Sequence, residues 1–178
     1  MVHSKQLLPL TIALSSACVS TTGVEAPTQT DPSSSFEAIV TIEVAEGGTG
    51  WGCIGVLVPI DWTADSVTYS GPSSGSMSYI ANVGALMEVW YPSSQADQWI
   101  GFYEETYGSS EQGDVYEVTV RIHTAETSGI FELAFLGLVH EYADWVWEGD
   151  PCSITVEVVE MNLEAATWAE VKSQSGGN

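Results

Sequence analysis

The chain has 178 residues, the length of one domain, and 44% of them are hydrophobic, including seven Trp and seven Tyr. That apolar content excludes an intrinsically disordered protein and predicts a packed core. The 24 acidic residues face only three Lys and Arg, which gives a formal net charge of -21. This imbalance excludes nucleic acid as a partner, because no basic patch is present to neutralise phosphates.

The acidity has three candidate origins, which the sequence alone leaves open. An acidic surface is an ordinary property of many extracellular domains. Carboxylates also suit a salty medium, in which they stay hydrated and their mutual repulsion is screened. The third origin is specific binding of calcium through carboxylate oxygens. In each case the surface attracts cations and cationic partners.

The first 18 residues have the pattern of a signal peptide. A short basic start is followed by an apolar run from Leu7 to Leu14 and by small residues before Cys18. The run is too short to cross a bilayer, so export is predicted instead. Small residues directly before a cysteine resemble the lipobox of bacterial lipoproteins, which implies lipidation of Cys18. Ser15, where that family prefers Leu, and Pro9 depart from the pattern, and ordinary cleavage or an uncleaved anchor remain alternatives.

Residues 19–35 are rich in Ser, Thr and Pro and show no apolar periodicity, which predicts a flexible tether. The domain is expected to span residues 36–160 and to begin with a strand, because apolar and polar residues alternate from Phe36 to Val44. The next segment, Cys53 to Val58, is apolar on both faces, as in a central strand. A short strand follows at Ser66 to Ser70.

The remaining elements are also mostly strands. From Tyr79 to Trp90 apolar residues recur every three to four positions, which predicts one short helix. The other segments have strand patterns: Gln98 to Glu104, Tyr116 to His123, Ile130 to Leu138 and Cys152 to Val158. The fold class predicted is all-β, an antiparallel sandwich of about seven to eight strands with one short helical insertion. Residues 161–178 form a C-terminal tail with at most one helical turn, around Trp168.

Cys53 and Cys152 remain once Cys18 is assigned to the leader. In an oxidising compartment they are expected to form a disulfide, which would contribute about 4 to 5 kcal/mol in the chain-entropy model. Two buried thiols are the alternative. A zinc site is not expected, because His123 and His140 lack ligand spacing with either cysteine.

The stretch Cys53-Ile-Gly-Val-Leu-Val-Pro-Ile-Asp-Trp62, continued by Asp65-Ser-Val-Thr-Tyr-Ser70, resembles immunoglobulin-like or cohesin-like modules of exported bacterial proteins. The Gly129 to Leu133 segment resembles a later strand of the same modules. The resemblance covers roughly residues 36–160 and rests on strand and turn residues. It therefore implies an immunoglobulin-like sandwich with an adhesive, spacer or ligand-binding role, and it transfers no site residues.

Nothing in the sequence indicates an enzyme. No Gly-x-Ser-x-Gly motif occurs, and His123 and His140 are expected to lie on a strand surface and in a loop, respectively. With 24 acidic residues, some carboxylates inevitably lie close together, so pairs such as Glu104 and Glu105 carry little catalytic signal. The loop residues Asp144, Glu148 and Asp150 are the candidate calcium ligands, although no EF-hand motif is present.

Tryptophans at strand ends and loops are the strongest functional signal. The candidate ligand-binding residues are Trp90, Trp99, Trp145 and Trp147, since exposed aromatic rings commonly mark binding sites. The alternative is that they cap the ends of a small core, whereas Trp62 is expected inside it. The function predicted is a non-catalytic module at the cell surface that contacts another protein. A carbohydrate-binding module that uses the same tryptophans is the alternative.

Overall fold

The computed structural model describes residues 18–106, 108–141 and 144–160. These contain twelve strands and one helix: β1 (Cys18–Glu25), β2 (Gln29–Thr30), β3 (Ser35–Glu46), β4 (Gly48–Pro59), β5 (Thr63–Ser70), β6 (Gly75–Tyr79), α1 (Ala81–Trp90), β7 (Asp97–Glu104), β8 (Gly108–Ser110), β9 (Val115–His123), β10 (Gly129–Glu141), β11 (Asp144–Val146) and β12 (Cys152–Val158). The all-β class and the short helix are confirmed, but the predicted strand number is too low. Residues 1–17 of the predicted leader and the helical turn around Trp168 lie outside the described residues. No described helix has the length and apolar character needed to span a bilayer.

The strands form two layers of one continuous hydrogen-bonded sheet. The first layer has the order β1-β3-β9-β5 and the second has the order β7-β4-β10-β12. Strand β6 pairs with β5 on one side and with β7 on the other, so it joins the two layers at one edge. These pairings are antiparallel, whereas β2 runs parallel to β12. The predicted antiparallel sandwich is therefore confirmed.

The main core fills the space between the two layers. In β3 every second residue is buried, from Phe36 to Val44, as its alternating sequence predicts. The inner faces of both layers contribute to it, and the buried members are Val19, Phe36, Ala38, Val40, Ile42, Val44, Ile54, Val56, Val58, Trp62, Val67, Phe102, Val118, Val120, Ile122, Leu133, Phe135, Val139, Val156 and Val158. Trp62 is fully buried and packs against Phe36 and Phe131, which confirms its predicted place in the core.

A second, smaller core covers the other face of the second layer. Its buried members are Cys53, Val83, Met87, Trp99, Ala134, Leu136 and Leu138. They come from β4, β7 and β10, and from α1, which lies on this face. The layer is thus apolar on both sides, which explains why Cys53 to Val58 and Leu133 to Val139 lack alternation.

Two glycines allow α1 to lie directly on the sheet. A Cβ atom at Gly101 of β7 would lie 2.4 Å from the Val83 Cβ and 2.6 Å from the Gly84 backbone nitrogen. One at Gly84 of α1 would lie 2.6 Å from the Trp99 carbonyl oxygen. A side chain at either position would push the helix away and open the second core. Gly84 and Gly101 therefore permit the close packing of α1 on β7.

The N-terminal segment is part of the sandwich, so the predicted tether over residues 19–35 is wrong. Strand β1 pairs with β3 at the edge of the first layer, and β2 pairs with β12 at the edge of the second. The segment thereby closes the side of the sandwich opposite β6. Val19 is buried, and its carbonyl oxygen accepts a hydrogen bond from the Glu148 amide at 2.8 Å.

Thr21 makes a buried hydrogen bond between the two layers. Its hydroxyl oxygen accepts from the Gly137 amide of β10 at 2.8 Å, and Thr21 is only 8% exposed. The pairing of β12 with β10 ends at Phe135, two residues earlier, so no β12 carbonyl faces this amide. The Thr21 hydroxyl therefore takes the place of the missing strand partner.

We expect Thr21→Val to lower the free energy of unfolding by about 1 to 3 kcal/mol, because the Gly137 amide would be left buried without an acceptor. The matched control is Thr22→Val, since Thr22 is exposed and its 3.4 Å hydrogen bond to Thr41 lies at the surface. That change should stay within about 0.5 kcal/mol. Urea unfolding followed by Trp fluorescence measures both values. Equal losses in the two variants would contradict the integral role of β1.

Candidate functional site

Three aromatic rings form a row across neighbouring strands of the second layer. In the strand register, His140 of β10 lies opposite both Trp51 of β4 and Trp145 of β11. The rings stack: the His140 centroid lies 5.6 Å from that of Trp51 and 4.2 Å from that of Trp145. The interplanar angles are 29° and 22°. Each flat side of the imidazole is therefore covered by an indole.

A second aromatic group lies at the end of α1. The Trp90 and Trp147 ring centroids are 4.0 Å apart. The Trp147 indole nitrogen donates to the Tyr91 hydroxyl at 3.1 Å, and that hydroxyl donates to the Gly149 carbonyl at 3.3 Å. The Trp99 indole nitrogen donates to the Tyr91 carbonyl at 2.8 Å. This network fixes the loop after α1 against the loop that contains Trp147.

The turn behind Tyr91 is held by a carboxylate. Glu88 accepts hydrogen bonds from the Ser93 hydroxyl at 2.6 Å and from the Ser93 amide at 3.1 Å. Burial acts to raise the pKa of Glu88, but these bonds and one from the Trp99 backbone outweigh it, so the pKa lies below its usual range. The carboxylate form therefore orders the turn that presents Tyr91.

We call six half-buried rings on this side of the second layer the aromatic surface: Trp51, Trp90, Tyr91, His140, Trp145 and Trp147. Of the predicted ligand-binding residues, Trp90, Trp145 and Trp147 belong to it. Trp99 is only 8% exposed and supports it from below. Sequence reasoning missed Trp51, although it has the same strand parity as Cys53. His140 lies in β10, not in the predicted loop.

The candidate calcium ligands do not converge. Asp144, Glu148 and Asp150 are all exposed. Among residues 18–106, 108–141 and 144–160, no three His, Cys, Asp or Glu side chains are grouped closely enough to hold a metal ion. The prediction that these three residues form a calcium site is therefore not supported by their placement. They form an acidic border beside Trp145 and Trp147.

The predicted disulfide between Cys53 and Cys152 is wrong for this fold. Both residues are free thiols, and β10 lies between their strands. Cys53 is opposite Leu138 and faces the second core, whereas Cys152 is opposite Phe135 and faces the main core. Two strand spacings already separate them by about 10 Å, beyond the reach of a disulfide. Cys152 instead donates to the Thr21 carbonyl at 3.2 Å.

Cys18 is the first residue of β1, in register with Glu46 of β3. Burial, followed by the negative charges of Glu148 and Glu46, raises the pKa of its thiol. Its lipidation stays a prediction.

His123, at the end of β9, lies on the outer face of the first layer as expected, with its Nε2 atom 2.9 Å from the Asp65 carboxylate.

No family model and no curated protein matches this sequence. Among solved structures, the chain is similar to AvmM, which catalyses macrocyclization in alchivemycin A biosynthesis, with 9% identity, a TM-score of 0.42, and coverage of 83% of this chain and 90% of that one. It is also similar to the CARDB domain of the PF1109 protein from Pyrococcus furiosus, solved with di-metal ions. That similarity has 12% identity and a TM-score of 0.38, and it covers 89% of this chain and 100% of that one. A third similar structure is the collagen-binding domain of a Staphylococcus aureus adhesin. That similarity has 12% identity and a TM-score of 0.38, and it covers 75% of this chain and 95% of that one.

At these identities and TM-scores the similarities carry no argument about activity, ligand or partner. The two layers of strands are established by the pairing of this chain's own residues.

The thiols of Cys53 and Cys152 should react at different rates. Burial raises the pKa of Cys53 to about 12, and this residue is only 2% exposed, so its reactive thiolate is rare near neutral pH. We expect iodoacetamide to label Cys152 before Cys53 in the native protein near neutral pH. Peptide mass spectrometry measures both rates. A Cys53–Cys152 linked peptide in a non-reducing digest would contradict the fold.

Proposed function

We propose that this chain is a non-catalytic binding module of an exported protein and that it contacts another protein through the aromatic surface. The observation that carries the proposal is the convergence of six half-buried rings on one side of the second layer. Trp and Tyr offer a large contact area at a low cost in side-chain entropy, which is why they are common in protein interfaces. The hydrogen bonds of Tyr91 and Trp147 keep these rings ordered before any partner arrives.

Charge supports a basic partner. The aromatic surface borders the exposed carboxylates of Asp144, Glu148 and Asp150. In the described part of the chain, Arg121 is the one Lys or Arg side chain, and it lies on the outer face of the first layer. A cationic surface on the partner would therefore meet little repulsion here, and the net charge of -21 would speed its approach.

Ring packing favours a protein over a sugar. Carbohydrate platforms present flat ring faces to solvent, whereas here the faces of His140 are covered by Trp51 and Trp145. Trp90 and Trp147 cover one another in the same way. Stacking of this kind takes at least one flat face of each of these rings away from contact with a sugar. The carbohydrate-binding alternative is thereby weakened, and a glycan array is its direct test.

Lipidation of Cys18 would have a structural consequence for this function. Because β1 begins at Cys18, an anchor there would hold the domain directly at the membrane, with no tether. The aromatic surface is carried by the second layer and α1, and β1 belongs to the first layer. Cys18 nevertheless lies near Glu148, which follows Trp147, so the anchor would lie beside the acidic border of the aromatic surface.

The test compares Trp145→Ala with Tyr79→Ala, which removes a 65% exposed ring outside the aromatic surface. Each immobilised domain is exposed to extracellular proteins of the source organism at low and high salt, after circular dichroism has shown that both variants fold. We expect Trp145→Ala to reduce specific retention by about tenfold or more, as at an interface hot spot. Tyr79→Ala should retain the same proteins as the wild type.

Salt should also weaken retention, because it screens the attraction between the acidic border and a basic partner. Equal retention by both variants would contradict the proposed surface. Saturable binding to a glycan that depends on Trp145 would replace the protein-binding proposal with the carbohydrate-binding alternative.

A further inference from the structure

A cavity of about 90 Å³ lies at one end of the main core, between the two layers. Val44 and Val118 line it from the first layer, and Gly52 and Val139 from the second. Met77 of β6 lines it at the edge where the layers join. The interior is therefore apolar and is reached from the end of the sandwich at which β3 ends and β9 begins.

Polar groups lie at one side of this cavity. Glu104, the last residue of β7, accepts a hydrogen bond from the Tyr69 hydroxyl of β5. The Tyr116 ring meets that of Tyr69 edge to face, with centroids 6.3 Å apart. Burial raises the pKa of Tyr69 to about 12, and the hydrogen bond that Tyr69 makes to Glu104 and the negative charge of Glu104 act in the same direction. Tyr69 thus stays a neutral donor, and the carboxylate carries the negative charge of the pair.

No cationic side chain pairs with Glu104 among the residues that the structure describes. Arg121 donates to the Ser35 hydroxyl at 3.3 Å on the outer face of the first layer. The same residues provide no group of three metal-ligating side chains, so a metal ion would find a single carboxylate here. An anion beside aromatic rings and an apolar cavity fits an organic cation better.

We propose that this cavity binds a small primary alkylammonium ion, with its ammonium group at Glu104 and its alkyl chain between the layers. The ammonium would donate to the Glu104 carboxylate beside the hydroxyl group of Tyr69, close to the Tyr69 and Tyr116 rings. An apolar cavity of about 150 Å³ holds benzene, so 90 Å³ has room for a chain of about three to four carbons. This site lies on the opposite face of the second layer from the aromatic surface and does not depend on its function.

The probe is n-butylammonium, titrated into the full chain labelled with ¹³C at its methionine methyl groups. Met77 lines the cavity, whereas Met87 is fully buried in the second core and serves as an internal reference. We expect a saturable shift of the Met77 signal and none of the Met87 signal. Butanol, which lacks the charge, and methylammonium, which lacks the chain, should each bind about tenfold more weakly or worse, and butyrate should not bind.

Two variants separate this site from general attraction of cations to an acidic protein. Glu104→Gln keeps the shape and the acceptor for Tyr69, and it should reduce butylammonium affinity to that of butanol. Gly52→Val fills the cavity, since a Cβ at this position makes ordinary contacts with Glu104 and Met77 at 3.5 and 3.9 Å. It should abolish the Met77 shift. Gly23→Val is its control, because a Cβ there meets only Thr41 at 3.9 Å, outside the cavity.

Binding that survives both Glu104→Gln and Gly52→Val would overturn the proposal and show counterion attraction alone. Equal affinity for butylammonium and butanol in the wild type would overturn the role of Glu104. A Met77 signal that does not shift with any probe would show that the cavity takes no such ligand.

Discussion

The structure depends on one constraint, which is that the second layer must be covered on both faces. Strands β4, β7 and β10 carry apolar side chains toward the main core and toward the second core. Exposing either face would leave a continuous apolar surface in water, so two separate coverings are required. The first layer supplies one, and α1 with the aromatic rings supplies the other. Most features of the fold follow from this requirement.

The aromatic surface exists because α1 is too short to cover the outer face alone. The helix has ten residues and spans about 15 Å, less than the length of β4 or β10. Trp90, at its last position, and Trp145 and Trp147, beyond it, cover what remains of the second core. Rings in this position must be half-buried, since one side packs on the sheet and the other meets solvent. The same placement makes them available to a partner.

Acidic residues are arranged around this apolar framework without disturbing it. On the first layer, Glu37, Glu43 and Glu117 point outward from strands whose inner residues are buried. Glu104 is the exception, because it lies beside the cavity at the end of the main core. A net charge of -21 makes cations the natural ligands of such a protein, and the two proposed sites use that charge in different ways.

Period-two alternation and apolar runs were enough to predict the strands from Phe36 to Val44 and from Cys53 to Val58, and the spacing of apolar residues predicted α1. They failed for β1, because Ser20, Thr21 and Thr22 look like a linker. Only the Thr21 hydroxyl shows why a polar residue is buried there, and its partner Gly137 is distant in sequence. Composition cannot reveal a long-range hydrogen bond of this kind.

Odd or even position along a strand decides which face of the layer a side chain occupies, and the sequence-based prediction did not use it. Counting cysteines suggested a disulfide, whereas register places Cys53 and Cys152 on opposite faces of the second layer. The same parity places Trp51 beside His140, which composition alone did not single out. The cavity beside Glu104 could not be predicted at all. The cavity depends on how the two layers meet at one end. Glu104 and Glu105 are adjacent and identical in type, so the sequence does not show that Glu104 is the one beside the cavity.

Amide hydrogen exchange of the full chain tests the double covering most directly. The account predicts that amides in the middle of β4 and β10, such as those of Val56 and Leu136, exchange only through global unfolding. They should be at least as protected as Val40 and Val118 in the first layer, whose strands have one face in solvent. Faster exchange in β4 and β10 than in β3 and β9, through local opening, would contradict a layer covered on both faces.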